Sequence, residues 1–145
     1  MKIVVDTNVI FSGILSPKSK ISDLLLNSDG IFEFSAPDFM LVELEKHDSK
    51  LMRLSGYTVA ELDFIKSTLL KKMDLINLEA IRSEIWNQAF ELTKEIDEFD
   101  TPFVALALEM SAFLWSGDKK LVKGLQKQGF ELAIGVDELI KIRML

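Results

Sequence analysis

The chain has 145 residues, 48% of them apolar, enough for one ordinary hydrophobic core, with no compositional break to divide it. It has no cysteine, which excludes a disulfide framework, a thiolate zinc site and a cysteine nucleophile. The formal net charge of −6 argues against broad, nonspecific attraction to nucleic acid, which depends on lysine and arginine contacts to phosphate.

The chain opens directly into a strand-like run, Lys2–Val5, without a charged n-region and longer apolar stretch, and no segment approaches the length of a membrane span. A single domain over residues 1–145, soluble and cytoplasmic, is the expectation. Short continuous apolar runs alternate with segments of helical period. That is the pattern of an α/β fold in which parallel strands are covered by helices on both faces.

Lys2–Asp6 is expected as a first buried strand, followed by helical segments to about Asn27 and a close at Gly30. Phe32–Ser35 follows as a strand and leads into a helix near Pro37–Asp38, with Asp38 as its N-cap, running to Leu54. Thr58 and Glu61 have capping-box spacing and open another helix to about Lys72, with a short edge strand at Asp74–Asn77. Glu84–Ile96 is helical in period. Asp97-Glu98-Phe99-Asp100 breaks it, and Thr101 as cap with Pro102 at the first helical position starts the next helix. Phe113–Ser116 is a strand, Lys119–Gln128 a helix ended by Gly129, Glu131–Ile134 a last strand and Val136–Arg143 a terminal helix.

In an open parallel sheet the strand-to-helix loops emerge at the carboxyl ends of the strands, and ligands bind there. Acidic residues fall on that edge. Asp6 ends the first strand, Glu43 sits early in the helix after the second, and Asp97 and Asp100 precede the Thr101 helix. Asp118 lies two residues beyond the Phe113–Ser116 strand. Crowded carboxylates push one another toward the protonated form, so a cluster stays ionised only when a cation neutralises it. Hard oxygen ligands suit magnesium or manganese, which can activate water for attack on a phosphodiester. Taken singly, each of these acids is as readily a helix cap or a favourable charge at a helix start. A gathered cation also inverts the local field that a phosphate meets in an acidic protein.

Four segments together resemble the PIN-domain nucleases, a family that includes the VapC-like toxins of toxin–antitoxin pairs. They are Val4-Val5-Asp6-Thr7-Asn8-Val9-Ile10, Glu43 within Phe39–Leu44, Asp97–Ala107, and Leu114-Trp115-Ser116-Gly117-Asp118-Lys119-Lys120-Leu121. The resemblance covers essentially the whole chain. It implies a three-layer α/β/α fold with a central parallel sheet of about five strands. It also implies a divalent-metal-dependent endoribonuclease whose Asp6, Glu43, Asp100 and Asp118 hold Mg2+ or Mn2+, with Asp97 as a further catalytic acid. Asn8 and Ser116 would order the metal ligands by hydrogen bonding. Ser116 stands where threonine is common in the family, and keeps the hydroxyl. A toxin role, an antitoxin-like protein partner and a homodimer are further implications. The alternative is a catalytically inactive PIN-like module that binds RNA or protein.

The stretch between Glu43 and Asp97 holds an extra helical pair. It resembles the protruding helices some relatives use for partner contacts, and equally suits a cover for one face of the sheet. Lys119, Lys123 and Lys127 form a basic stripe at i, i+4, i+8, and Lys46, Lys50 and Arg53 a second on roughly the face of Glu43. Both are expected to flank the acidic centre and contact RNA phosphates. The plainer reading is a solvated face paired with nearby acids. Trp115 and Trp86 are expected in the core, and the lone histidine, His47, at the surface, which excludes cleavage by a histidine pair.

A strand ending in aspartate with a later Gly-Asp is also found in haloacid-dehalogenase-like phosphatases. Those need a second aspartate where Asn8 stands and a later acid where Val122 stands, so this chain departs from them twice.

Overall fold

The computed structural model describes residues 1–145. The chain runs β1 (Lys2–Val5), α1 (Thr7–Leu15), α2 (Lys20–Leu26), β2 (Glu33–Pro37), α3 (Met40–Lys46), α4 (Asp48–Ser55) and α5 (Val59–Leu70). It continues β3 (Met73–Ile76), α6 (Ser83–Thr93), α7 (Thr101–Met110), β4 (Phe113–Trp115), α8 (Lys119–Lys127), β5 (Ala133–Ile134) and α9 (Val136–Arg143). Two 3-10 turns, Leu78–Ala80 and Glu98–Asp100, sit on either side of α6.

All five strands are parallel and lie in the order β3-β2-β1-β4-β5. Ile3, Val4 and Val5 of the central β1 are at most 1% exposed, because helices cover both faces of the sheet. On one side α7 lies against β1, β2 and β4 and is backed by α6; on the other, α1 packs with α2, α3, α4 and α5. Ala105 and Ala107 are fully buried, and these small side chains let α7 settle close to the strands. The chain leaves β1 toward β2 and later returns to β4 on the opposite flank. The switch point therefore falls between β1 and β4, and their carboxyl ends deliver Asp6 and Asp118 side by side.

The expected three-layer α/β/α architecture with five parallel strands is the observed one. The Thr58–Glu61 capping box forms with both of its hydrogen bonds, and Trp115 is fully buried. Gly129 follows α8 in the left-handed region at φ +94°. Leu51, Leu62 and Leu69 bury themselves from α4 and α5, so the extra helices pack onto α1 and onto each other, over the helical layer and not directly over the strands. They also leave Leu54, Val59 and Phe64 exposed.

Five local expectations are corrected. Asp38 does not cap the helix after β2: α3 starts after Phe39, and no side chain caps it. The helix expected to run to Leu54 is broken at His47 (φ −103°, ψ 6°). There the His47 N–H turns back to the Leu44 carbonyl at 3.1 Å, and a new helix begins when Leu51 N–H bonds the His47 carbonyl at 2.8 Å. Thr101 is not a cap but the buried first residue of α7, whose hydroxyl lies 2.7 Å from that of Thr93. The last strand shrinks to Ala133–Ile134 and the edge strand starts one residue earlier, at Met73. No helix is long and apolar enough to cross a membrane.

Candidate active site

Asp6 stands where β1 gives way to α1, its backbone N–H bonded to the Trp115 carbonyl at 3.0 Å, which ties it to β4. Its carboxylate makes no full capping hydrogen bond to α1, although the Thr7 and Asn8 backbone N–H groups favour its charged form. It is 5% exposed and receives a 2.8 Å hydrogen bond from the Ser116 hydroxyl. Burial pushes its carboxyl up to about 6, against the opposing pull of the Ser116 bond.

Ser116 joins two of the acids. While its hydroxyl donates to Asp6, its oxygen accepts the Asp118 backbone N–H at 3.1 Å. Asn8 braces this turn, accepting from Gly117 N–H at 3.1 Å and reaching the Ser116 oxygen at 3.4 Å. Asp118 does act as a cap, with Oδ1 accepting from Lys120 N–H and Leu121 N–H, and that fixes its orientation at the head of α8.

From the second strand's side comes Glu43, half-buried on α3, with its Oε1 held at 2.9 Å by the Thr7 hydroxyl. Asp97 accepts from Phe99 N–H at 3.0 Å and so caps the 3-10 turn that carries Asp100. Asp100 has no capping bond of its own. Its carboxyl is pushed up to about 7, first by burial and then by the charges of Asp6, Asp97, Asp118 and Glu43. The five acids therefore share one electrostatic neighbourhood.

Asp6, Glu43, Asp97 and Asp100 line a single open cleft of roughly 370 Å³, with Asp118 just outside its lining. As oriented, no three of the acidic side chains converge closely enough to hold a metal ion. The donor set nevertheless fits a hard divalent cation: it is all oxygen, and two of its carboxylates are held toward the protonated form without one.

The sequence matches the PIN domain family over residues 4–134. This chain belongs to the PIN domain family. A solved structure, VapBC2 from Rickettsia felis bound to a DNA fragment from their promoter, has the same fold at a TM-score of 0.67. It is 15% identical, and the match covers 93% of this chain and 97% of that one. No match was found among curated proteins.

This PIN domain places its basic residues unevenly. Lys50 lines the carboxylate cleft. Lys119 and Lys123 line a separate cleft of roughly 500 Å³, whose Ser116 and Gly117 are hydrogen-bonded to Asp6 and Asn8 of the carboxylate cleft. Lys46, Arg53 and Lys127 are exposed and line neither, because the break at His47 splits the one stripe and α8 carries Lys127 away from the centre. None of the six forms a salt bridge, which removes the ion-paired version of the plainer reading.

Five residues of the cleft are not among the site residues expected from the sequence: Thr7, Phe11, His47, Phe99 and Phe103. His47 is exposed, as expected, yet it lines the cleft edge-on to the Phe11 ring at 5.9 Å. Thr7 had one sequence signal, its place directly after the strand-ending aspartate. The rings had none.

Proposed function

We propose that this PIN domain is a divalent-metal-dependent endoribonuclease that hydrolyses RNA phosphodiesters. The observation that carries the reading is the fixed pair at the switch point, where the Ser116 hydroxyl ties the Asp6 carboxylate to the backbone of Asp118 beside a cleft lined by Glu43 and Asp100. Asp6, Glu43, Asp100 and Asp118 would hold Mg2+ or Mn2+. When bound, such an ion supplies Lewis acidity toward the phosphate and lowers the pKa of a coordinated water.

The chain's own residues do the positioning. Ser116 and Asn8 hold Asp6 and the Gly117-Asp118 turn in register, Thr7 fixes Glu43, and Asp97 fixes the turn that carries Asp100. Burial of Asp6 keeps bulk water from screening the acid nearest the sheet. Lys50 on one side and Lys119 with Lys123 on the other supply cations for phosphates flanking the cut.

The toxin reading draws on the resemblance to VapC-like toxins and on the fold shared with the Rickettsia felis VapBC2 structure. In that reading the chain pairs as a homodimer and meets an antitoxin-like protein in the cytoplasm. One observation favours the inactive-module alternative, namely that no three acids converge as oriented. Against it stands the cluster itself, since crowded buried charge destabilises a fold that has no cation to gather.

The test is cleavage of labelled single-stranded and hairpin RNAs with magnesium, manganese or EDTA, alongside folded Asp6→Asn and Asp118→Asn variants. Metal-dependent cleavage lost in both variants establishes the reading. Metal binding detected by calorimetry without any cleavage favours the binding module.

A further inference from the structure

Phe99 is 81% exposed, the most exposed phenylalanine of the chain, yet its backbone is clamped. Its N–H is held by Asp97 Oδ1 at 3.0 Å, the Asp100 N–H bonds the Asp97 carbonyl, and the Thr101 hydroxyl donates to the Glu98 carbonyl while meeting Thr93 below. A lone exposed hydrophobe is ordinary on a protein surface. One carried on a hydrogen-bonded turn and lining two hollows at once is a different feature. One of the two is the carboxylate cleft. The other is a shallow hollow of roughly 490 Å³ lined by Trp86, Asn87, Phe90 and Pro102.

The cleft that Phe99 lines is also lined by an aromatic and cationic group of side chains. Lys50 Nζ lies over the Phe11 ring at 5.6 Å, and the His47 ring meets the same phenylalanine edge-on. Lys50 has no salt-bridge partner. A π-face beside a free ammonium suits a ligand that is flat and anionic at once, namely a nucleotide, better than an apolar peptide segment. We propose that Phe99 is a stacking wedge for an unpaired nucleobase of the strand the cleft acts on, with Lys50 meeting the adjoining phosphate. The inference rests on the ribonuclease reading and assigns Phe99 the contact to an unpaired base, because a base held inside a duplex cannot reach a lone ring.

The experiment measures binding of fluorescein-labelled oligoadenylate RNA and of a paired RNA duplex by anisotropy, with Ca2+ in place of Mg2+ so that a hard cation still neutralises the acids, and with the RNA checked to be uncut. The proteins compared are wild type and Phe99→Ala, Phe99→Leu, Phe99→Tyr and Phe99→Trp. Stacking predicts that Phe99→Ala and Phe99→Leu weaken binding of the unpaired RNA by roughly tenfold or more, while Phe99→Tyr and Phe99→Trp keep it. Leucine retains apolar bulk, so it would satisfy a folding or protein-docking role and fails only a stacking one. Wild-type affinity in Phe99→Leu, equal affinity for paired RNA, or no binding of unpaired RNA by the wild type each overturns the wedge. So does intact RNA affinity in Phe99→Ala that has lost binding to another protein. Cleavage is scored separately in magnesium. Cleavage that needs Asp6 while Phe99→Ala binds normally removes the wedge and leaves the nuclease standing, whereas a wild type that neither binds nor cuts RNA removes both.

Discussion

The Thr7 hydroxyl donates a 2.9 Å hydrogen bond to Glu43 Oε1, so the residue after the strand-ending aspartate fixes an acid that arrives 36 positions later on a different helix. Thr7 is itself 9% exposed, and the bond is sheltered. Thr7→Val keeps the shape and removes the hydroxyl. It is expected to cost about 1 kcal/mol of stability and to lower metal-dependent cleavage roughly tenfold. Thr7→Ser should retain most of both. Thermal melts and single-turnover cleavage check this, and equal activity in Thr7→Val would remove Thr7 from the positioning scheme.

Ser116 is expected to behave as a two-sided tie. Ser116→Ala deprives buried Asp6 of its hydrogen bond and Asp118 N–H of its acceptor, leaving the Asp6 carboxyl even more reluctant to ionise. Metal affinity by calorimetry should fall tenfold or more, with Ser116→Thr close to wild type. Full affinity in the alanine variant would assign the tie a purely structural role.

Asp6 and Asp100 set a pH dependence for the metal-free protein. Their carboxyls sit at about 6 and about 7 in the fold, above the usual 3.8, so between these values the native state holds protons that the unfolded chain has released. Stability must therefore fall as pH rises from about 4 to about 7 and then level off. The surface carboxylates lowered by arginine partners, Asp23 with Arg143 and Glu109 with Arg82, act the other way. Their contribution is lost as pH falls through the acid range, at the low end of this window and below it. Asp6→Asn should flatten the slope and stabilise the metal-free protein at pH 8 by on the order of 2 kcal/mol while abolishing cleavage. Asp100→Asn should stabilise it less, because that group is partly solvated. Melting curves in EDTA from pH 4.5 to 8 decide the matter, and a wild-type melting temperature that rises across this range would contradict it.

The basic residues should separate by position. Lys119→Ala with Lys123→Ala, and Lys50→Ala alone, are expected to weaken RNA binding and reduce its dependence on salt by about one counterion per lysine. Lys46→Ala and Lys127→Ala, which line neither cleft, should leave the slope in place. A salt titration of binding reads the difference directly. Equal effects at all positions would point to a diffuse field in place of a track.

Gly124 offers a check on how the acidic loop is supported. A Cβ added there would lie 2.6 Å from Ile96 Cδ1 and 3.0 Å from its Cγ1, and Ile96 directly precedes Asp97. Gly124→Ala should destabilise by roughly 1–2 kcal/mol despite its better helix propensity, and Ile96→Val in the same chain should recover part of the loss. Urea denaturation of the two single variants and the double variant measures the coupling.

The parts of this molecule that were legible in the sequence are those set by local pattern. Ile3-Val4-Val5 is apolar on both faces because the strand is covered twice, and that continuity identified a parallel sheet. Once the sheet was recognised, Asp6 and Asp118 fell on its carboxyl edge by topology alone. What was not legible depended on partners distant in the chain. The break at His47 has no glycine or proline to mark it, and without the break Lys46, Lys50 and Arg53 read as one face. The Thr101 hydroxyl turned inward because Thr93 waits there, and no capping statistic contains that neighbour. Phe99 sits in a stretch of three acids with no period, so neither its exposure nor the hollows beside it had a signature.

The turn at His47 also divides the cleft by origin. One wall, Asp6 with Ser116 and Asn8, is welded to the central strands, where a small shift would disturb the whole sheet. The facing wall puts Glu43 on one short helix and Lys50 on the next, on either side of the hinge at His47, with both helices packed against α1 and Glu43 tied to it by the Thr7 hydroxyl. Substitutions around the hinge would thus re-space the cationic and acidic banks of the cleft while the strand-borne half kept its shape, which gives the chain a way to alter what it accepts without rebuilding what holds it together.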